Sequence, residues 1–236
     1  MSENEFAKIF EDKPSRKKVL KHLKLGHFLW SSKVRQMRKI YPKVGLPPNV
    51  QLSGHIKIGE YSYIGNHSSL NTLGKDELEG NYGIRIGRFC SMASYISLNT
   101  NSLSHSTQTP GLFPVSALFG SEKKTLVPSG KKNNRILIGN DVWIAASTTV
   151  LGNVTIGNGA IIASHAVVVK DVPPYHLAAG NPTQIKKKRF SDHIIKQLEE
   201  IRWWDWSLDK LKRNQEFFSL DIVKNPDLDL WEHIKG

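Results

Sequence analysis

A left-handed parallel β-helix wound from hexapeptide repeats is the fold this sequence predicts: mainly β, with a long inserted loop and C-terminal α-helices. Three observations carry that prediction. The first is an unbroken six-residue spacing of aliphatic side chains, Ile138, Ile144, Val150, Ile156, Ile162 and Val168, with Gly139, Ala145, Gly157 and Ala163 following four of them. The second is the same register upstream, as Leu46, Leu52, Ile58, Ile64 and Leu70 and again as Ile86, Met92 and Leu98. The third is the dominance of β-branched Val, Ile and Thr, without the three- and four-residue spacing of an amphipathic helix.

Each hexad supplies one short strand and a turn, and three hexads close a triangular coil of about 18 residues. The aliphatic side chain fills the prism. The small residue beside it is expected at a tight corner, where glycine tolerates unusual backbone angles. Successive coils then stack through parallel hydrogen bonds at about 4.8 Å. On this reading the β-helix occupies 46–189, and two breaks of phase mark loop insertions near 71–83 and 100–135. The first insertion is polar and contains glycine. The second is much longer, with Ser104-His105-Ser106, a Pro110-Gly111 turn and the apolar pairs Leu112-Phe113 and Leu118-Phe119. A loop of that length and aromatic content points to function.

Past the repeats, Gly180-Asn181-Pro182 reads as a closing turn. Residues 190–236 form a helical extension: 191–203 is a helix capped by Ser191 with Ile194, Leu198 and Ile201 on one face, and Ser207 opens a second. These helices are expected to cover the open end of the solenoid, which otherwise exposes strand edges.

Residues 1–45 form a basic, partly helical segment; positions 1–43 hold 12 Lys/Arg against 4 Asp/Glu. That charge suits peripheral contact with an anionic membrane face or glycan, or a solvated helix surface. Nucleic acid is not expected, because aromatic interleaving, zinc-finger spacing and RNA-binding signatures are missing. No run approaches the roughly 18 apolar residues of a membrane span, and the first residues are charged where a signal peptide is apolar, so a cytoplasmic location is expected. The single cysteine, Cys90, excludes an intramolecular disulfide and reads as a buried structural thiol. His55, His67, His165 and His176 follow no zinc spacing, so no metal is expected. The sequence also has neither a Gly-Lys-Ser phosphate loop nor a Gly-x-Ser-x-Gly elbow.

The stretch IGNDVWIAASTTVLGNVTIGNGAIIASHAVVVKDVPPYHLAAGNPTQIKKKRF resembles the acyl-CoA-binding portion of the hexapeptide-repeat acyltransferases. With SDHIIKQLEEIRWWDW the resemblance narrows to the xenobiotic-acetyltransferase-like branch, which includes chloramphenicol and streptogramin acetyltransferases and many surface-polysaccharide O-acetyltransferases. It covers about 46–220, through the Asp-Val-Trp-Ile, Lys-Asp-Val-Pro-Pro, Gly-Asn-Pro and Trp-Trp-Asp-Trp elements in order. It implies a homotrimer with acetyl-CoA as cosubstrate, bound in grooves between subunits, and no metal. It also implies a general-base histidine on the long loop, which here is His105. An imidazole near neutral pKa can take the proton of a hydroxyl as that hydroxyl attacks a thioester.

By the same resemblance, Ala145 and Ala146 fall where the thioester passes, and Ala163 and Ser164 fall one coil along. Family members commonly carry Gly at 145 and 163. The Ala146 N–H is a candidate oxyanion donor. Trp143 fits either an indole near the acyl end or a buried structural ring. Lys170 and the run Lys186-Lys187-Lys188-Arg189 match positions that meet the CoA phosphates. The function expected is O-acetylation of a sugar hydroxyl of a bacterial surface polysaccharide or its precursor. The alternatives are an antibiotic O-acetyltransferase, a sugar N-acetyltransferase and a non-catalytic hexapeptide scaffold.

Overall fold

The computed structural model describes residues 43–72, 83–100, 110–111, 113, 115 and 135–236. The basic N-terminal segment and most of both insertions lie outside the described residues. The hexads build three sheets. The first stacks β1 (Gln51–Ser53), β4 (Ser69–Asn71), β7 (Ser97–Asn99), β10 (Thr149–Leu151) and β13 (Val167–Val168). The second stacks β2 (Ile56–Ile58), β5 (Ile84–Ile86), β8 (Ile136–Ile138) and β11 (Val154–Ile156). The third runs β3 (Tyr63–Ile64), β6 (Ser91–Met92), β9 (Trp143–Ile144), β12 (Ile161–Ile162), β14 (His176–Ala179) and β15 (Gln184–Lys188). Neighbours are parallel, except that β15 returns antiparallel on β14 after the Gly180-Asn181-Pro182 turn. Each circuit takes one strand from each sheet, which makes a three-sided left-handed β-helix.

Every repeat aliphatic named above is buried, except the half-buried Leu52. A second inward position lies two residues before each, because strand side chains alternate with a period of two. Ile136, Val142, Val154, Ala160 and Ala166 occupy it and are equally buried. Each fully buried Val, Leu or Ile contributes roughly 1.5–3 kcal/mol. Three of these inward positions are polar, and each hydroxyl is satisfied by main chain. Ser62 donates to the Gly87 carbonyl, Ser68 to that of Ala93 and Thr148 to that of Ala145.

The corners correct one expectation. The left-handed backbone is adopted not by the repeat glycines but by a residue two positions further on. Tyr61, Phe89 and Asp141 share one corner, His67, Tyr95, Ser147 and His165 another, and Asn153 sits at the third. Gly59, Gly87, Gly139 and Gly157 are required instead by the close approach of successive coils. A Cβ on Gly87 would lie 2.3 Å from the Gly139 carbonyl oxygen, and one on Gly139 2.7 Å from the Asn158 nitrogen.

Both insertions leave the same corner. The first connects β4 to β5 and the second β7 to β8; β4 pairs with β7 and β5 with β8, so the two departures lie on adjacent coils.

The C-terminal extension contains α1 (Asp192–Ile201) and α2 (Leu208–Arg213). Ser191 accepts from the Ile194 N–H at 3.3 Å and Ser207 from the Lys210 N–H at 3.2 Å, so both expected caps form. Ile194, Leu198 and Ile201 join Tyr175, Trp204, Trp206, Phe217 and Leu230 in a second core. This extension does not cover the open end as expected; it lies along the corner between the second and third sheets. Trp203 packs on Phe89 at 5.0 Å between ring centroids, and the Arg88 guanidinium donates to the Trp204 carbonyl at 2.6 Å. Asn158 donates to Glu199. The half-buried aromatic column Tyr61–Phe89 at that corner gives the helices an apolar surface to pack on. The edge of the third sheet is closed instead by β15.

Candidate active site

The residues singled out by sequence, apart from His105, Lys170 and Arg189, collect on the third sheet and on its corner with the first. Ile144 points into the prism and is fully buried, so alternation turns Trp143 outward, where it is 52% exposed between Ser91 and Ile161. Of its two roles, the structural ring in the core is therefore ruled out, and the indole is a surface available to a ligand.

The turn after β9 holds Ala145 and Ala146; the equivalent turn one coil on holds Ala163 and Ser164. The Ala145 N–H is committed to the Ile162 carbonyl at 2.9 Å and the Ala163 N–H to the Ala178 carbonyl at 3.0 Å. Their carbonyls both accept from the buried Thr148 hydroxyl, at 2.8 and 3.2 Å. The next amides differ. The Ala146 carbonyl takes the His165 N–H at 3.0 Å, but the N–H groups of Ala146 and Ser164 meet no acceptor among the described residues. Backbone donors normally find partners or water. These two therefore form a pair of open donors, one coil apart, on a strip whose side chains are a methyl and a hydroxymethyl. Thr148 is the residue that sequence reading passed over. Its signal was a hydroxyl two residues before a repeat aliphatic, as at Ser62 and Ser68.

On the same sheet, three strands beyond Trp143, β15 presents Lys186, Lys187 and Lys188, all exposed. Lys188 pairs with Asp192 at 2.5 Å, and Lys186 reaches the Gln184 side chain at 3.4 Å. Lys170 is exposed after β13, at the corner between the first and second sheets and so apart from the Trp143 face. Arg189, the last cation of the run, turns away: it donates to the Gly159 carbonyl at 2.6 Å and stacks over Tyr175 and Phe190. Alternation also divides the lysines: Lys187, opposite Leu177 and so in register with Ile161 and Trp143, lies on the indole's face, and Lys188, opposite His176, lies on the other. His105 lies outside the described residues, six positions past the end of β7.

The buried Cys90 and the half-buried Asp141 stand apart from this face. The Cys90 thiol is fully buried, donates to the Gly139 carbonyl, and is pushed up to about 12 by burial. Asp141 lines a hollow of about 390 Å³ under the C-terminal extension, with Tyr175, Arg189, Phe190 and Trp203. Burial pushes its carboxyl up to about 6, because Arg189 at 3.8 Å is too distant to offset the desolvation. Among the described residues, no group of three or more His, Cys, Asp or Glu side chains is gathered as a metal would need.

Comparison with known proteins identifies the family. The family "Bacterial transferase hexapeptide (six repeats)" matches residues 135–170. A chloramphenicol acetyltransferase of Klebsiella aerogenes is 34% identical over 172 residues, covering 67% of this chain and 79% of the relative. A probable macrolide acetyltransferase of Lysinibacillus sphaericus is 36% identical over 137 residues, covering 57% of this chain and 76% of the relative. Among solved structures, a galactoside acetyltransferase in complex with coenzyme A superposes with a TM-score of 0.49 at 20% identity, over 78% of this chain and 76% of that one. The chain belongs to the hexapeptide-repeat acyltransferases, in the xenobiotic-acetyltransferase-like branch.

Proposed function

We propose that this acyltransferase moves an acetyl group from acetyl-CoA to a hydroxyl of a sugar, in a bacterial surface polysaccharide or its precursor. The observation that carries the donor half is the linear order from β9 to β15: exposed indole, two open amides, then Lys187 in register with the indole, with Lys186 and Lys188 beside it on the same strand. From β9 to β15 is three strand steps of about 4.8 Å, roughly 14 Å in all. A thioester at Trp143 and Ala146 would thus leave its phosphates near Lys186, Lys187 and Lys188, with the amides of Ala146 and Ser164 bonding the arm between.

The reaction balances as follows. The His105 imidazole takes the proton of the acceptor hydroxyl while that oxygen attacks the thioester carbonyl carbon. The tetrahedral oxyanion is held by the Ala146 N–H. The C–S bond then breaks, and the CoA sulfur takes the proton back from the imidazolium, giving an acetyl ester and free CoA. Assembly as a trimer, which sets a second copy beside each such face, and a cytoplasmic location belong to the same proposal. So does contact of the N-terminal segment with an anionic glycan or membrane.

The relatives' names favour a second reading, an antibiotic hydroxyl as acceptor. Mass spectrometry of products from acetyl-CoA with a panel of bacterial glycans and with chloramphenicol separates the two. A mass gain of one acetyl on glycan alone is expected; a gain on chloramphenicol alone transfers the assignment to the second reading.

The lysine strand makes its own prediction. Changing Lys186, Lys187 and Lys188 together to alanine should raise KM for acetyl-CoA roughly three- to tenfold at low salt, leave kcat unchanged, and flatten the dependence on ionic strength. Steady-state kinetics across a salt series reads all three. An unaltered KM would remove these side chains from the phosphate site.

A further inference from the structure

The corner that carries Ala146 and Ser164 continues into the earlier coils, and there it changes character. Its left-handed positions form a column, His67, Tyr95, Ser147 and His165, joined coil to coil by backbone bonds: Tyr95 N–H to the Asn66 carbonyl, Ser147 N–H to that of Ser94, His165 N–H to that of Ala146. Tyr95 therefore sits one coil, about 4.8 Å, below the Ala146 turn.

The Tyr95 ring stacks on the His67 imidazole at 5.1 Å with 12° between planes, and His67 is held from behind by Asn49 at 3.2 Å. On the next rung stands Ser147, whose small side chain leaves the second face of the tyrosine open; Tyr95 is 60% exposed. The neighbouring corner offers a comparison. There Tyr61 stacks on Phe89 in the same way, and Phe89 is covered by Trp203 of the C-terminal extension. One stacked pair is thus used to dock the fold's own helices, while the other is ordered and uncovered among the described residues.

Beside the open pair, the outer face of the first sheet is neutral and polar. Its outward positions in the first three coils are Gln51 and Ser53, Ser69 and Asn71, Ser97 and Asn99, in register along the sheet. In the last two coils they become Thr149 and Leu151, then Val167. Hydroxyls and amides without charge, flanking an exposed ring, are the chemistry that binds a polyhydroxylated ring: its C–H face lies on the aromatic plane and its hydroxyls meet the rim. The strip runs from Tyr95 to Asn99, four residues or about 13 Å, toward the point where the His105 loop departs.

We propose that Tyr95, backed by His67, is the stacking platform of the acceptor site, and that the Ser69, Asn71, Ser97 and Asn99 strip binds the hydroxyls of a neutral sugar. This rests on the acetyltransferase reading above, with the acyl group at Ala146. Saturation-transfer NMR of the full chain with maltotetraose and with chitotetraose, in the presence of CoA, tests it, alongside a calorimetric titration of acetyl-CoA into each variant. Wild type should transfer saturation to the ring protons of at least one of the two sugars. Tyr95→Phe should retain that transfer, and Tyr95→Ala should weaken sugar binding about five- to tenfold with an unchanged acetyl-CoA isotherm. Equal transfer in wild type and Tyr95→Ala, or no transfer to either sugar from wild type that binds acetyl-CoA normally, overturns the platform and leaves the donor site standing. Transfer to the aryl protons of chloramphenicol but to neither sugar, lost in Tyr95→Ala, also overturns the sugar assignment. Failure of wild type to bind acetyl-CoA would instead strike the reading beneath it.

Discussion

Replacing His105 with alanine is expected to lower kcat by about 10²–10⁴, the usual contribution of a positioned general base, and to leave the affinity for acetyl-CoA within twofold. Both halves of the expectation come from separate parts of the molecule. The proposed donor track uses Trp143, two backbone amides and β15, none of which belongs to the long loop. The histidine stands six residues past Asn99, an arm that spans at most about 20 Å. That reach exceeds the roughly 13 Å from Asn99 back to the corner column one coil below Ala146. Single-turnover rates with a saturating acceptor, paired with an acetyl-CoA binding isotherm, read the two quantities apart. A variant with wild-type kcat would remove the imidazole from the proton transfer and send the search to another base on the same loop.

The second large effect is on stability. Ile144→Ala should destabilise the fold by about 2–5 kcal/mol, since it removes most of a fully buried side chain from the middle of the prism and leaves a cavity between coils that cannot close up. Its neighbours on the sheet, Met92 and Ile162, are held by ladder bonds at fixed spacing, which limits relaxation. The change also undermines the site, because the same strand presents Trp143 and leads into Ala145. Urea denaturation followed by circular dichroism measures the loss. A cost below about 1 kcal/mol would mean that the coil collapses around the gap, contrary to the packing described here.

How much of this was legible beforehand differs from one residue to the next. Ile138, Ile144 and Ile156 announce themselves by spacing alone, because a hexad must return one side chain per face to the prism. Trp143 did not: a large ring in a repeat fits the interior or the surface, and only its register against Ser91 and Ile161 decides. The glycines were located correctly and explained wrongly, since a sequence shows that a position is small but not whether a backbone angle or an approaching neighbour demands it. Thr148 was invisible for the opposite reason: it breaks the aliphatic pattern, and its two acceptors belong to different coils. The helices were readable from Ser191 and Ser207, but their resting place depended on the outward-turned ring of Phe89, which no local pattern reveals. His105 was assigned through resemblance, and it lies outside the described residues.

The shared exit of the two insertions carries a consequence for how such enzymes diversify. Lengthening a flexible loop costs little, about 0.6 kcal/mol for each doubling, whereas altering a coil disturbs its neighbours above and below. With both excursions confined to one edge, new acceptor preferences can be grafted there by exchanging loop sequence, while the acyl-carrier track on another edge stays as it was. The solenoid behaves as a handle with a replaceable bit.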